Sequence, residues 1–264
     1  MSENTNDIIQ LEIKRKMGII SLNYGDLNIF NEPMIYRFNE ILHDVKDNRK
    51  IRVVVIKSNS PKAFSAGFDL KEFDDFNEEH INVVLNVGCD FIYTLKTMPK
   101  PTIALINGYA IGIGFLITLA CDFRWCTKDA KFQLPEINYE LMFPTHGGCT
   151  NLPKIVKKIS DAKYLLFTGE RIDAQTALKM GIVDRCFDNK EEMLHEGIKR
   201  FAKNLAMKNP MVMALIKGAI EKCANSSLKE GLDIEKEAFG ILKSVESDRI
   251  KMIQEFVDKY IDDI

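Results

Sequence analysis

The sequence predicts an α/β fold in which strands buried on both faces alternate with helices. Two strands are indicated by apolar, largely β-branched runs at residues 51–56 and 102–106. Such runs are typical of strands that helices cover on both sides. Between them, residues 81–98 carry apolar side chains at helical spacing and end at a Pro-Lys-Pro sequence, which stops a helix. The order of strand, helix, strand and helix favours repeated crossover connections.

The remaining elements follow from the same kind of pattern. Alternating apolar residues over 8–24 predict an opening β-hairpin, and residues 32–46 have the spacing of an amphipathic helix. Two further strands are predicted at residues 122–127 and 131–134. Helix-like segments dominate from residue 159 onward, at 162–168, 174–180, 191–208, 210–224 and 228–260. No linker rich in Gly, Pro or Ser interrupts the chain, so we expect a core at 1–200 and a helical region at 201–264 that packs on the core or on a neighbouring subunit.

Composition excludes several classes of function. The net charge is −2, and 36 basic and 38 acidic residues are spread along the chain, which disfavours nucleic acid and anionic membranes as partners. The six cysteines form no Cys-x-x-Cys pair, so neither a metal site nor a disulfide framework is indicated. The polar start does not resemble a signal peptide, and the longest apolar run is too short to span a bilayer. We therefore expect a cytoplasmic protein that binds no metal, membrane or nucleic acid.

Two loops that contain glycine follow the first two buried strands. They occupy residues 63–70 and 107–114, and open α/β sheets bind ligands at such strand ends. In the first loop, Gly67 allows backbone conformations that other residues avoid. A phosphate-binding loop is disfavoured because no Gly-Lys-Ser/Thr follows, and the glycines are not in dinucleotide-binding register.

The second loop places Ile113 between Gly112 and Gly114, just before a helix predicted to start near Phe115. The first N–H groups of a helix lack internal partners and lie at the positive end of the helix dipole, so an anionic oxygen is favoured there. Together with the N–H of Phe68, the N–H of Ile113 could form an oxyanion hole. The alternative is that these glycines only turn the chain and pack the helix on the sheet.

The combination of motifs distinguishes between these interpretations. In one order, the chain contains Ala-Phe-Ser-Ala-Gly-Phe-Asp-Leu, Lys-Pro-Thr-Ile-Ala-Leu-Ile-Asn-Gly-Tyr-Ala-Ile-Gly, Ala-Cys-Asp-Phe-Arg, Phe-Gln-Leu-Pro-Glu-Ile and Leu-Phe-Thr-Gly-Glu-Arg-Ile-Asp-Ala. Together these blocks resemble the crotonase (enoyl-CoA hydratase/isomerase) superfamily over nearly the whole chain. The resemblance implies a spiral of ββα turns with a C-terminal helical region, assembled as a homotrimer or as a hexamer of two trimers. It also implies an acyl-CoA thioester as substrate, with coenzyme A as part of that substrate and no separate cofactor.

The resemblance also assigns roles to residues. The N–H groups of Phe68 and Ile113 are expected to hold the thioester oxygen, and Lys71 is expected to meet a phosphate of coenzyme A. The alternative for Lys71 is a solvated charge on a polar loop. A C-terminal block that includes Phe256 and Lys259 often approaches a neighbour's coenzyme A site in the family, although a plain amphipathic helix also explains it. The residues expected to bind substrate are Ala66, Phe68, Asp69, Leu70, Lys71, Gly112, Ile113, Leu116 and His146.

The superfamily shares only enolate stabilisation, so the reaction has to be inferred from which carboxylates are present. Family hydratases carry two glutamates, and the matching positions here are Leu116 and Glu136. Hydration needs water activation on one carbon and proton delivery to the next, which suits two carboxylates. Shifting a 3-enoyl double bond to the 2-position needs one acid/base, so the pattern resembles the 3,2-enoyl-CoA isomerases, with Glu136 as the catalytic residue.

Three alternatives to isomerisation remain: hydration, another enolate reaction, and binding without chemistry. Hydration or another enolate reaction (cyclic dienoyl-CoA hydration, ring cleavage or decarboxylation) is possible if His146 or a water held elsewhere replaces the missing glutamate. His146 lies on a loop that closes over the acyl group in the family, and histidine can titrate near neutral pH; it could equally contact only water or backbone. A binding member of the family that has lost its chemistry is the third alternative.

Overall fold

The computed structural model describes residues 8–74, 77–139, 142–244 and 246–258. Within these ranges the chain forms a large sheet of six strands and a small sheet of four. The strands of the large sheet are β1 (Ile9–Lys14), β2 (Met17–Leu22), β3 (Val53–Ser58), β5 (Thr102–Ile106), β7 (Phe123–Thr127) and β10 (Arg185–Phe187). Those of the small sheet are β4 (Ala63–Ser65), β6 (Tyr109–Ile111), β8 (Lys131–Gln133) and β9 (Ile172–Asp173).

The helices lie between these strands and after them. They are α1 (Glu32–Asp47), α2 (Leu70–Asp74), α3 (Glu78–Thr97), α4 (Ile113–Ala120), α5 (Gly148–Ile155), α6 (Ile159–Thr168), α7 (Ala174–Met180), α8 (Lys190–Leu194), α9 (Lys203–Ala206), α10 (Pro210–Cys223), α11 (Leu228–Lys243) and α12 (Glu246–Asp258). A π-helical segment, His195–Ala202, joins α8 to α9, and a short 3-10 helix, Glu136–Asn138, follows β8.

The chain alternates between the two sheets as it advances. The large sheet has the order β1-β2-β3-β5-β7-β10, in which β1 and β2 form an antiparallel hairpin and the later neighbours are parallel. After β3, β5 and β7 the chain enters the small sheet as β4, β6 and β8, which are also parallel to one another. Helices then return it to the large sheet. This repeat of two strands and a helix is the ββα spiral expected from the sequence, and the α/β class is confirmed.

Both faces of the large sheet are covered, which explains the β-branched runs. On β3, Val54 and Ile56 point into the main hydrophobic core, whereas Val53 and Val55 point into a second cluster on the opposite face. Trp125 belongs to that second cluster, as a core aromatic. Since successive side chains of a strand point to opposite faces, a strand buried on both sides needs apolar residues throughout.

The last three helices form a hydrophobic cluster of their own, which includes Leu215, Ile234 and Phe256. A single helix over residues 228–260 is wrong, because α11 ends at Lys243, with Ser244 as its C-terminal cap, and α12 starts at Glu246. Ser244 has an extended backbone, and its hydroxyl donates to the carbonyl of Ile241 at 2.7 Å. This local hydrogen bond competes with continuation of the helix. Lys259 lies outside the described residues.

Candidate active site

Residues 66–69, in the first loop, have neighbouring backbone segments on both sides. On one side, the N–H of Phe30 donates to the carbonyl of Gly67 at 2.8 Å, and the N–H of Asp69 donates to the carbonyl of Phe30 at 2.9 Å. These bonds make Phe68 the bridge partner of Phe30. In such a bridge the N–H of the central residue points the opposite way. The N–H of Phe68 is therefore directed toward the other neighbour, the end of β6.

The end of β6 approaches this segment through glycines. Gly67 has φ +103°, and a methyl group on it would lie 3.3 Å from the carbonyl oxygen of Ile111. Gly112 has φ +51°, and a methyl group on it would lie 3.8 Å from Cα of Gly67. Positive φ is unfavourable for residues with a side chain. The glycines predicted to aim backbone groups thus bring the two loops into contact.

Ile113 is the first residue of α4, and the helix is buried throughout. The first bond of the helix is donated by the N–H of Leu116 to the carbonyl of Gly112, at 3.0 Å. The N–H of Ile113 lies one position after Gly112 and has no helical carbonyl behind it, so it offers a donor at the positive end of the dipole. The structure thus places the two predicted donors, Phe68 and Ile113, on facing loops.

Two polar residues that sequence reasoning missed hold the first loop in place. Asn28, which is buried with φ +46°, donates from its side chain to Ser58 at 2.7 Å and to the carbonyl of Phe64 at 3.0 Å. Ser65 donates to the carbonyl of Asn28 at 2.8 Å and accepts from the N–H of Gly67 at 3.2 Å. Neither residue stands in a periodic pattern, so the sequence carried no signal for them.

Glu136, which follows β8 of the small sheet, lies close to the two loops that carry Phe68 and Ile113. It begins the 3-10 helix after β8, and β8 is tied to the second loop by a bond from the N–H of Gly112 to the carbonyl of Gln133 at 3.0 Å. Oε1 of Glu136 lies 3.5 Å from the position of a methyl group on Gly112. Its other oxygen, Oε2, is buried and has no hydrogen-bond partner among the described residues. Burial raises the pKa of this carboxyl above its usual value, as is common for groups that transfer protons.

Leu116 supplies an apolar wall on the first turn of α4. Its side chain is 2% exposed. Cδ2 lies 3.4 Å from the position of a methyl group on Gly148, the first residue of α5. By the resemblance described above, this is one of the two positions at which a hydratase is expected to carry a glutamate. The site therefore contains Glu136 close to the two loops and a hydrocarbon where the other carboxylate would stand.

His146 is buried, although the sequence placed it on a loop. It is 4% exposed, has φ +52° and lies with its ring 5.6 Å from that of Phe68 and 6.4 Å from that of Phe91. Nδ1 is 2.6 Å from the hydroxyl of Thr145, and the backbone of Leu85 is the other hydrogen-bonding group close to the ring. Burial lowers the pKa of His146 to about 4, which favours a neutral ring near neutral pH.

The remaining predicted substrate residues lie at the entrance to α2. Ala66, Asp69 and Leu70 are half-buried, and Lys71 is exposed. The N–H of Lys71 donates to the carboxylate of Asp69 at 3.1 Å. This position leaves the ammonium group of Lys71 in solvent, where it can meet a phosphate.

The described residues contain neither a metal-binding cluster nor a membrane-spanning helix. In the described ranges, no group of three or more His, Cys, Asp or Glu side chains is arranged to hold a metal ion. No helix there combines the length and the apolar character needed to cross a membrane.

Comparison with known proteins identifies the family. A profile described as enoyl-CoA hydratase/isomerase matches residues 12–262. A probable mitochondrial enoyl-CoA hydratase 2 of Arabidopsis thaliana is 31% identical over 245 residues, covering 92% of this chain and 80% of that protein. A short-chain-enoyl-CoA hydratase of Clostridium acetobutylicum is 28% identical and covers 96% of this chain and 95% of its own length.

Solved structures agree with the sequence relatives. An enoyl-CoA hydratase from Bacillus anthracis superposes with a TM-score of 0.83 at 31% identity, covering 96% of each chain. DspI of Pseudomonas aeruginosa superposes with a TM-score of 0.84 at 27% identity, covering 98% of this chain and 97% of its own. The chain therefore belongs to the enoyl-CoA hydratase/isomerase family and, with it, to the crotonase superfamily.

Proposed function

We propose that this protein shifts the double bond of a 3-enoyl-CoA thioester to the 2-position, with Glu136 as the single acid/base. The observation that carries the proposal is the pairing of a buried carboxyl at Glu136, beside Gly112, with a hydrocarbon at Leu116. An allylic shift within one thioester needs one group that removes a proton and then returns it.

The proposed reaction uses three groups of the site. The N–H groups of Phe68 and Ile113 hold the thioester oxygen, where negative charge develops. Glu136 takes a proton from the α-carbon, and the electron pair of that C–H bond moves into a dienolate. The protonated Glu136 then donates the same proton to the γ-carbon, and the double bond becomes conjugated with the thioester. Each N–H donor of such a hole contributes about 3 kcal/mol to stabilising the charge.

The environment of Glu136 suits this proton transfer. An acid/base works best when its pKa is close to the operating pH. Burial raises the pKa of Glu136 in that direction, and its Oε2 has no hydrogen-bond partner among the described residues. The apolar Leu116 helps to exclude water, which would otherwise compete for the dienolate. The reaction is a proton transfer without a redox step, so we propose no cofactor beyond the coenzyme A of the substrate.

Hydration of a 2-enoyl-CoA is the second candidate, and the names of the relatives favour it. The proteins from Arabidopsis thaliana and Clostridium acetobutylicum are both named as enoyl-CoA hydratases. In that reaction Glu136 alone would have to activate water and deliver a proton. Leu116 cannot hold a water molecule by hydrogen bonding. One carboxylate would then have to do the work of two, so the site suits hydration less well than isomerisation.

The two candidates give different products. The purified protein is incubated with a 3-enoyl-CoA while the absorbance of the conjugated thioester is followed, and with a 2-enoyl-CoA before mass spectrometry. Isomerisation raises the absorbance without a change of mass, whereas hydration adds the mass of water. Glu136→Gln should abolish either activity, and Glu40→Gln, a change at an exposed residue of α1, should leave it intact. Turnover that survives Glu136→Gln would refute the catalytic assignment, and coenzyme A binding without any turnover would indicate an inactive member.

The assembly is also a proposal. Several apolar side chains are exposed, including Phe143 at 66% and Phe167 at 72%. Ile137, in the 3-10 helix that contains Glu136, is exposed as well. Exposed apolar residues can mark subunit contacts. Together with the resemblance to the crotonase superfamily, they support our proposal of a homotrimer or a hexamer of two trimers, which we place in the cytoplasm. Light scattering after size exclusion would measure the mass.

A further inference from the structure

A largely apolar cavity of about 360 Å³ lies behind the candidate active site. It is partly open to solvent and is lined by residues of α3, α5, α10 and α12. Ile92, Met98, Ala214 and Val257 contribute apolar walls, and lysines such as Lys96 lie among the other lining residues. This volume falls within the range of about 300–1,000 Å³ that is usual for small-molecule pockets. The acid/base mechanism proposed above does not use this cavity.

The turn at residues 145–148 separates the cavity from the thioester site. His146 and Gly147 line the cavity. On the other side of the same turn, the His146 ring is 5.6 Å from Phe68, and Gly148 approaches Leu116. Phe68, Leu116 and Glu136 are absent from the described residues that line the cavity. The His146 ring therefore stands between the acyl side of the site and the cavity.

His146 fills this place in an unusual way. Its φ of +52° is a conformation that favours glycine. Its ring fits only because helix α3 has a glycine there: a methyl group on Gly88 would overlap Nε2 and Cδ2 of His146. Both the backbone conformation and the packing at this position would be easier for a smaller residue.

We propose that His146 selects for short acyl groups by closing the cavity to the acyl chain of the substrate. This inference rests on the proposed action on acyl-CoA thioesters. With the thioester oxygen at Phe68 and Ile113, a short acyl group ends before the His146 ring. A longer chain meets the ring and cannot enter the apolar space behind it. Removing the ring should join the site to the cavity and extend the range of chain lengths.

The size of the effect follows from the burial of methylene groups. Each methylene that moves from water into an apolar cavity strengthens binding by a factor of about four. A decanoyl group that enters the cavity buries several methylenes that a butyryl group lacks. We therefore expect the ratio of decanoyl-CoA to butyryl-CoA affinity to rise by at least about tenfold when the ring is removed.

The test compares His146→Gly, which suits the positive φ, and His146→Asn, which replaces the ring with a smaller amide. His43→Asn, at an exposed residue of α1, is the matched control. Calorimetry gives the Kd of butyryl-CoA and decanoyl-CoA for each protein, and these saturated thioesters bind without reacting. The ratio of the two Kd values within one protein cancels differences in the folded fraction. The expected order of decanoyl preference is His146→Gly, then His146→Asn, then the unmodified protein and His43→Asn together.

Each outcome separates the inference from the function on which it rests. If neither thioester binds the unmodified protein, the proposed function fails. If butyryl-CoA binds but His146→Gly leaves the ratio unchanged, the selection by His146 is wrong while the proposed function stands. A decanoyl preference already present in the unmodified protein would overturn the inference in the same way.

Discussion

Oε1 of Glu136 lies 3.5 Å from the place where a side-chain methyl of residue 112 would be, and residue 112 is glycine. Gly112 also directly precedes Ile113, whose N–H is one of the two proposed donors to the thioester oxygen. One residue thus sets the distance between the acid/base and the oxyanion donors. A change at Gly112 should therefore affect the acid/base and an oxyanion donor together.

Gly112→Ala should therefore damage both the backbone and the site. The residue has φ +51°, so a side chain should cost roughly 1–3 kcal/mol of stability. The methyl would also contact the Glu136 carboxyl and the turn that aims the N–H of Ile113, so turnover should fall by more than the stability loss explains. Urea unfolding and kcat measure the two effects. Gly240→Ala is the control, because a methyl there meets nothing within 4 Å and should stabilise the exposed helix by about 0.5–1 kcal/mol.

Leu116→Ala should test whether an apolar wall protects the dienolate. Truncation of a buried leucine costs roughly 2–5 kcal/mol of stability, depending on how far the cavity collapses. Where water enters, the 3-enoyl-CoA reaction should slow, and any addition of water to a 2-enoyl-CoA should increase. The product ratio from mass spectrometry measures this change, and Leu116→Met, of similar volume, should keep the original ratio. An unchanged ratio in Leu116→Ala would count against the role of the wall.

Glu136 should make the free energy of unfolding decrease as the pH rises. Burial raises the pKa of its carboxyl in the folded chain, so the folded state holds its proton at pH values where the unfolded state has lost it. The free energy of unfolding then falls as the pH rises from the usual carboxyl pKa through the raised one. Glu136→Gln should remove this loss and gain stability relative to the unmodified protein above that window. Urea unfolding at several pH values measures the difference, and parallel curves for the two proteins would contradict the shift.

His146 should have the opposite effect on the pH dependence, making the free energy of unfolding decrease as the pH is lowered. Burial lowers its pKa from 6.5 to about 4, so between these values the unfolded chain binds a proton that the folded chain does not. The free energy of unfolding should therefore decrease as the pH is lowered from about 6.5 to about 4. His146→Asn should flatten this part of the profile, whereas His43→Asn should not remove it. A profile that His146→Asn leaves as steep as before would show that the ring is not held neutral.

The sequence by itself determined the features that local patterns can express. The β-branched runs predicted β3 and β5, because a strand buried on both faces has apolar residues throughout. The helix at 32–46 is α1, which starts after Asn31 with a side-chain cap to the N–H of Met34 at 3.0 Å. The glycine loops and the ordered motifs also pointed to Phe68, Ile113 and Glu136 as candidate site residues.

The tertiary structure alone decided what depends on residues far apart in the chain. Strands of two or three residues, such as β4, β6 and β9, are too short to show a period, so of the small sheet only β8 was predicted as a strand. The contact of His146 with Gly88 joins positions 58 residues apart; a glycine inside a helix signals a close approach but does not name the partner. Burial lowers the pKa of His146 and raises the pKa of Glu136. It arises only when distant segments pack together and exclude water.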